Sequence, residues 1–342
     1  MPRFKLHFDY NRLKRGFMFT RLKELEHLQN LIDRYKLPIV REHLLAEVNT
    51  PKKNYPIIGL CVGSEKPEAP TLVLIGGVHG LEKIGSQVII AYLSTLFHQL
   101  TWDEHLLKAF EDVRIVSIPI LNPAGMARNS RSNPNGVDLM RNAPVESHDP
   151  STHRLVSGHR LGPHLPWYRG PIDSPMELES QTLVKFVTEQ ALHSKFCLAI
   201  DFHSGFGMRD RLWYPYAKTK SKFPKIAEVL GLKDLLDQTY PHHIYKIEPQ
   251  SDSYTTHGDL WDYLFELHEE DERFRENLFI PWTLEMGSWM WIKKNPFQIF
   301  NPLGLFHPIK EHRFDRVMRR HILLIDFFLR AVRSPKSWTG KK

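Results

Sequence analysis

TLVLIGGVHGLEK, residues 71 to 83, runs from an apolar segment into a histidine and a glutamate three positions apart. The short apolar run reads as a buried strand. Beyond it, apolar residues at 84, 88, 89, 92, 93 and 96 recur at helical spacing. His79 and Glu82 therefore stand where a buried strand leaves the core and a helix is about to begin. In open α/β sheets, ligands gather outside such carboxyl ends of strands.

The flanking sequence repeats the pattern. VRIVSIPIL (113–121), FCLAIDFH (196–203) and LWYPY (212–216) read as strands. FIPWTLE (279–285) reads as another, although Pro281 argues against a fully paired central position. Residues 44–48 and 55–62 form a hairpin around 51–54. Helices are predicted over 18–35 and roughly 308–333, with Phe314, Val317, Ile322 and Phe327 facing the core. A third begins at Ser174-Pro175-Met176-Glu177, with Ser174 as the cap, Pro175 at the first helical position and Glu177 reaching back. Residues 122–173 are rich in Asn, Pro, Gly, Ser and His, and a loop that long is usually functional or mobile.

Alternating strands and helices predict an α/β protein, a single three-layer α/β/α domain around a mixed, largely parallel twisted sheet. The expected division is an N-terminal helical extension over 1–40, a catalytic domain over 41–334 and a basic tail over 335–342.

Composition narrows the partners. Of 342 residues, 46 Lys and Arg exceed 39 Asp and Glu by 46 − 39 = 7. The excess is dispersed, with small clusters at Arg12–Arg15 and Arg316–Arg320 that read as charged helix faces, so nucleic acid is not the expected partner. MPRFKLHFDYNRLKRGFMF lacks the uninterrupted apolar core of a secretory signal, and no run elsewhere is long enough to span a bilayer. A cytoplasmic protein without a membrane partner is expected. Cys61 and Cys197 lie in apolar runs and read as buried reduced thiols.

Two further polar groups close apolar strands, His203 and Glu285. Two imidazoles and one carboxylate suit a catalytic zinc, which takes three protein ligands and keeps one position for water. A His and a Glu three apart can face one ion across a turn. Taken alone, however, the His-x-x-Glu pattern arises often by chance.

Order and context add to it. GGVHGLEKIG, NPAGMARNSRSNPNGVDLMRN (122–142), YRGPIDSPMELES (168–180), AIDFHSGFG (199–207) and WTLEMG (282–287) resemble, in that sequence, the zinc carboxypeptidases of the carboxypeptidase A type. The resemblance covers about residues 40 to 330 and is most specific in SRSNPNGVDLMRN and YRGPIDSPMELE. It implies one zinc ion held by His79, Glu82 and His203, with Glu285 as general base. It implies that Arg131 stabilises the oxyanion, with Arg128 as competitor, and that Arg141 grips the substrate's terminal carboxylate. Asp138 matches the carboxylate that orients a zinc-bound histidine, and Asp201 is either a similar group or a structural one.

Tyr263 is assigned as the tyrosine over the substrate, with Tyr254 as the alternative. Met140 departs from the family's Asn and removes half of the expected clamp; Ala124 replaces a common Asp. The implied function is a metallocarboxypeptidase cleaving a C-terminal amide bond. The alternative is a zinc amidase or deacylase acting on murein-type peptides or N-acylated amino acids, and either substrate carries a free carboxylate.

Overall fold

The computed structural model describes residues 22–148, 155–301 and 303–340. Its strands are β1 (Val40–Asn49), β2 (Asn54–Gly63), β3 (Thr71–Gly76), β4 (Arg114–Ile118), β5 (Phe196–Ser204), β6 (Arg211–Tyr214), β7 (Lys246–Pro249) and β8 (Leu278–Met286). They form one sheet in the order β1-β2-β4-β3-β5-β8-β6-β7. The central strands β4, β3, β5 and β8 run parallel. The β1–β2, β2–β4 and β6–β8 pairings are antiparallel, and β6–β7 is parallel. Every residue of β3 and β4 is buried, as expected of strands covered on both faces.

The helices are α1 (Lys23–Tyr35), α2 (Lys83–Gln99), α3 (Glu104–Ala109), α4 (Pro123–Ala127), α5 (Leu178–Gln190), α6 (Ile226–Thr239), α7 (Leu260–Glu270), α8 (Trp289–Lys294) and α9 (Glu311–Arg333). Side-chain alternation along β5 shows how they divide between the faces. Asp201 accepts from the Trp261 indole of α7 at 2.9 Å, whereas the next residue, Phe202, lies under Gly85 of α2. Helix α9 joins α2 on the Phe202 side, where Phe328 packs edge-on to Trp282 of β8. Helix α5 contacts α7 across the other face. The three-layer arrangement follows.

Both described chain ends pack on the fold. The described part of the 1–40 extension includes α1, whose Leu25, Leu28 and Leu31 belong to the common core. Within the supposed basic tail, Trp338 is buried and its indole donates to the Ala331 carbonyl at 2.8 Å.

Local expectations change too. Helix α5 starts after Glu177 rather than at Ser174, and the Glu177 side chain makes no capping hydrogen bond. The Glu177 carboxylate is taken by the amides of Asn133 and Asn135, at 2.8 and 2.6 Å. Long-range partners have outcompeted the local capping box. Pro281 does sit inside the sheet, opposite Ala199 of β5. On the other side β6 pairs only over Thr283–Glu285, so at Pro281 that edge has no ladder partner and proline is tolerated. Residues 122–173 are not entirely irregular: α4 and a 3₁₀ turn at Leu139–Arg141 lie within them. Helix α6 and strand β7 had no counterpart in the sequence reading; α6 carries Gly231 mid-helix, and β7 has four residues.

Both cysteines are buried and unbridged, and burial pushes the Cys61 thiol up to about 11. His321 of α9 is buried against the Tyr245 hydroxyl, 3.0 Å from Nδ1. Burial lowers its pKa to about 4, against the opposing pull of Asp210. An unfolded imidazole protonates near pH 6.5, so between about 6.5 and 4 the unfolded chain holds the extra proton and acidification favours unfolding. His321 should therefore cost at most about 3 kcal/mol of stability as pH falls through that window. Unfolding midpoints of the parent and His321→Gln, measured from pH 7 to pH 4, should show a shallower acid loss in the variant.

Candidate active site and metal centre

Strands β3, β5 and β8 are neighbours, and their carboxyl ends finish together, with Gly76 opposite Phe202 and His203 opposite Glu285. His79 and Glu82 follow β3 in a tight turn closed by the Glu82 amide on the His79 carbonyl, at 3.1 Å. Gly80 is required there, because a Cβ would stand 2.2 Å from the Gly125 backbone of α4. The turn thereby lowers both side chains onto His203.

Among the described residues, His79, Glu82 and His203 form the one group whose donor atoms could hold a metal ion, all within 4.8 Å of one another. His79 Nδ1 is 2.9 Å from Glu82 Oε1 and 3.2 Å from His203 Nδ1. His203 Nδ1 is 3.1 Å from Glu82 Oε2. All three side chains are buried.

The outward Nε2 atoms face carboxylates: Asp138 at 3.0 Å from His79 and Asp201 at 2.8 Å from His203. Protons on those outer nitrogens leave both Nδ1 lone pairs turned inward, toward one another and toward a carboxylate. Such a set of converging donors repels itself, and a cation would relieve that repulsion. Its chemistry, two imidazoles and one carboxylate, fits zinc.

The neighbouring charges are interlocked. Arg131 donates through Nε to Asp138 at 2.8 Å and through Nη1 to Glu82 at 3.3 Å. Arg128, its competitor in the sequence, is exposed at the end of α4. Burial works against the ionised Asp138, yet Arg131 and His79 hold its carboxyl well below the usual range. His203 is likewise buried, and Asp201 and Glu82 together raise its pKa despite that.

Glu285 accepts from the Phe206 amide at 3.0 Å. Burial, reinforced by the Glu82 carboxylate, pushes it up to about 8. Arg141 is buried, with Nε on the Val156 carbonyl at 3.3 Å and Nη1 on the Met140 carbonyl at 3.1 Å. Its position depends on Gly258, which has φ +69° and whose missing Cβ would lie 1.9 Å from the Arg141 carbonyl. Met140 turns its side chain into the core.

The two candidate tyrosines sit differently. Tyr263 is half-buried on α7, packed against the apolar core. Tyr254 instead lies with its ring 5.9 Å from the Arg141 guanidinium, beside Phe206 and Trp213. The loop histidines do not add a second metal cluster among the described residues; His159 bonds the Pro166 carbonyl at 2.8 Å, and His153 lies outside those residues. The sequence reading also missed backbone donors, the Ser204 amide on Glu82 at 2.9 Å and the Phe206 amide on Glu285. The SGFG that follows His203 was the available signal, since a loop leaving a strand end exposes its N–H groups.

A model of the zinc carboxypeptidase family matches residues 41–281. The chain belongs to that family. The catalytic chain of carboxypeptidase N from Rattus norvegicus is 27% identical over 176 residues, 46% of this chain and 35% of that protein. Carboxypeptidase E from Caenorhabditis elegans is 30% identical over 95 residues, 24% of this chain and 20% of that one. The chain thus spans about a third or less of these curated relatives.

Among solved structures, bovine thrombin-activatable fibrinolysis inhibitor in complex with tick carboxypeptidase inhibitor aligns with TM-score 0.62 at 16% identity, over 92% of this chain and 96% of that one. Carboxypeptidase A from Helicoverpa armigera aligns with TM-score 0.55 at 15% identity, over 89% and 73%. These two likenesses show the shared fold. The matched span holds the His79, Glu82 and His203 cluster and stops four residues before Glu285.

Because Asp138 ties a cluster histidine to Arg131, Asp138→Asn should weaken zinc binding about 10- to 100-fold while the protein stays folded. Titration with a competing chelator, with circular dichroism as the folding control, measures this.

Proposed function

We propose that the chain is a zinc-dependent carboxypeptidase that hydrolyses the last amide bond of a peptide with a free terminal carboxylate. The observation that carries this reading is the placement of Glu285 directly beside His203 in the sheet, on the strand end next to the inward-facing donors. His79, Glu82 and His203 would hold the ion. Bound there, zinc supplies a Lewis acid that activates water and polarises the scissile carbonyl.

The side chains around it divide the remaining work. Glu285, buried and kept basic by its surroundings, takes a proton from the attacking water and passes it to the leaving amine. Arg131 is fixed on two carboxylates and donates toward charge developing on the carbonyl oxygen. Asp138 holds His79 and Arg131 in mutual register. Arg141 receives the terminal carboxylate with its planar fork. Tyr254 takes the role expected of Tyr263, because it faces Arg141 and closes the cleft over a substrate held there.

Met140, which removes half of the expected clamp, would suit an amidase or deacylase whose substrate carboxylate sits differently. Its side chain is in the core and its carbonyl braces Arg141, so Met140 supports the arginine clamp by packing rather than by a second donor. The named relatives, being carboxypeptidases, do not favour the alternative either.

Chelation should abolish hydrolysis of an N-blocked dipeptide, and added zinc should restore it. Glu285→Gln should keep its zinc by elemental analysis while kcat falls by about 10²- to 10⁴-fold. Turnover at the parent rate in that variant would remove the general-base role. Arg141→Ala should act chiefly on KM, raising it about 10- to 100-fold for substrates with a free carboxylate. The same variant should show no such penalty on an amidated peptide.

A further inference from the structure

The segment after β8 wraps past the active site and closes on itself. Gln298 is buried and donates through Nε2 to the carbonyls of Gly304 and His307, at 2.7 and 2.9 Å. Ser204, next to His203, donates to the Phe306 carbonyl at 2.8 Å. His307 Nε2 meets Gln87 Oε1 of α2 at 2.9 Å. The loop is therefore anchored to both β5 and α2.

This anchored loop nevertheless turns apolar side chains to water. Phe297, Ile299 and Phe300, which flank the buried Gln298, are 80%, 54% and 83% exposed. Leu305 and Ile309 are exposed as well. Apolar surface presented by a fixed loop marks an interaction site. Lys293, Lys294 and Lys310 are exposed around it, and the Arg313 guanidinium, bonded to the Trp291 carbonyl at 2.9 Å, ties the start of α9 to α8. Residues 289–313 hold four Lys and Arg against one acid, Glu311.

We propose that this face docks on an anionic lipid bilayer, with Phe297 and Phe300 entering the headgroup region and the lysines meeting the anionic headgroups. Aromatic tips ringed by cations suit that interface. Among the described residues no helix is long and apolar enough to cross a membrane, and surface attachment needs none.

Charge decides the occupant. Residues 1–21 carry six Lys and Arg against one acid. The start of α1, the element that follows them, lies beside this face, because Gln87, which meets His307, also donates to Glu24 at 2.9 Å. As a cover for the loop they would set like charge against like, and a second copy of the same face would do so too. Toward an anionic surface, both segments act in the same sense. The expectation that membranes play no part came from seeking a spanning segment, which this mode does not use. Because Ser204 and Phe306 join the loop to the strand that carries His203, docking sets the cleft close to the lipid surface.

The test is co-sedimentation of the full chain with phosphatidylcholine vesicles, with and without phosphatidylglycerol, at low and high salt. Binding should require the anionic lipid and weaken with salt. Lys293→Ala/Lys294→Ala should weaken it about 25-fold, at about fivefold per lysine, and Phe297→Ser/Phe300→Ser by about tenfold or more. Circular dichroism establishes that both variants are folded. Equal binding to neutral vesicles, or parent-level binding by both variants, would overturn the proposal; the latter would assign the attachment to residues 1–21. Sedimentation equilibrium showing a dimer that the Phe297→Ser/Phe300→Ser variant loses would overturn it in favour of a second copy.

Discussion

Buried carboxylates need partners, and the architecture is arranged around that need. Glu82, Asp138, Asp201 and Glu285 are all buried; Arg131, His79 and His203 link the first three, and Glu285 accepts from the Phe206 amide. An ionised carboxylate taken from water without a partner is far too costly to persist. Asp138 is met by Arg131 and His79, Asp201 by His203 and the Trp261 indole, and Glu82 by Arg131 and the Ser204 amide. Apart from Asp201–His203 and Arg131–Asp138, these bonds join segments far apart in sequence. The group therefore forms only when the central strands are in register, and the strands bring it together only at their carboxyl ends.

The same economy explains how the described residues of the long connection between β4 and α5 are held around the site. Arg131, Asp138 and Arg141 all come from it. Asn133 and Asn135 tether it to Glu177, and Asn142 accepts from the Glu177 amide at 2.6 Å. Arg169 clasps the loop from behind, bonding the carbonyls of Arg141 and Val145 and both oxygens of Glu146. A connection without much regular structure is thus held by side-chain bonds to backbone. That suits a site whose arginines must be rigid to be useful.

Much of this was legible from the chain. The strand-exit position of His79 and Glu82, the apolar runs ending at His203 and Glu285, and the hairpin of β1 and β2 follow from periodicity of two or 3.6, which local side-chain burial imposes. The start of helix α5 was misjudged because Glu177, a plausible partner for Ser174, is captured by Asn133 and Asn135 from 44 and 42 residues away. Tyr263 was preferred over Tyr254 on chain position alone, and helical phase sets it half-buried against the core. Helix α6 and strand β7 gave weak signals: one is interrupted by glycine, and the other is too short for alternation to register.

Sequence alone determined the types of group available and their place at strand ends, since residue identity and hydrophobic period are local properties. Which nitrogen of each imidazole faces the other, which arginine rests on Asp138, and which tyrosine meets Arg141 were decided only by the tertiary structure. Those choices depend on distances between segments that share no local constraint, and only the packed sheet and its anchored loops fix such distances.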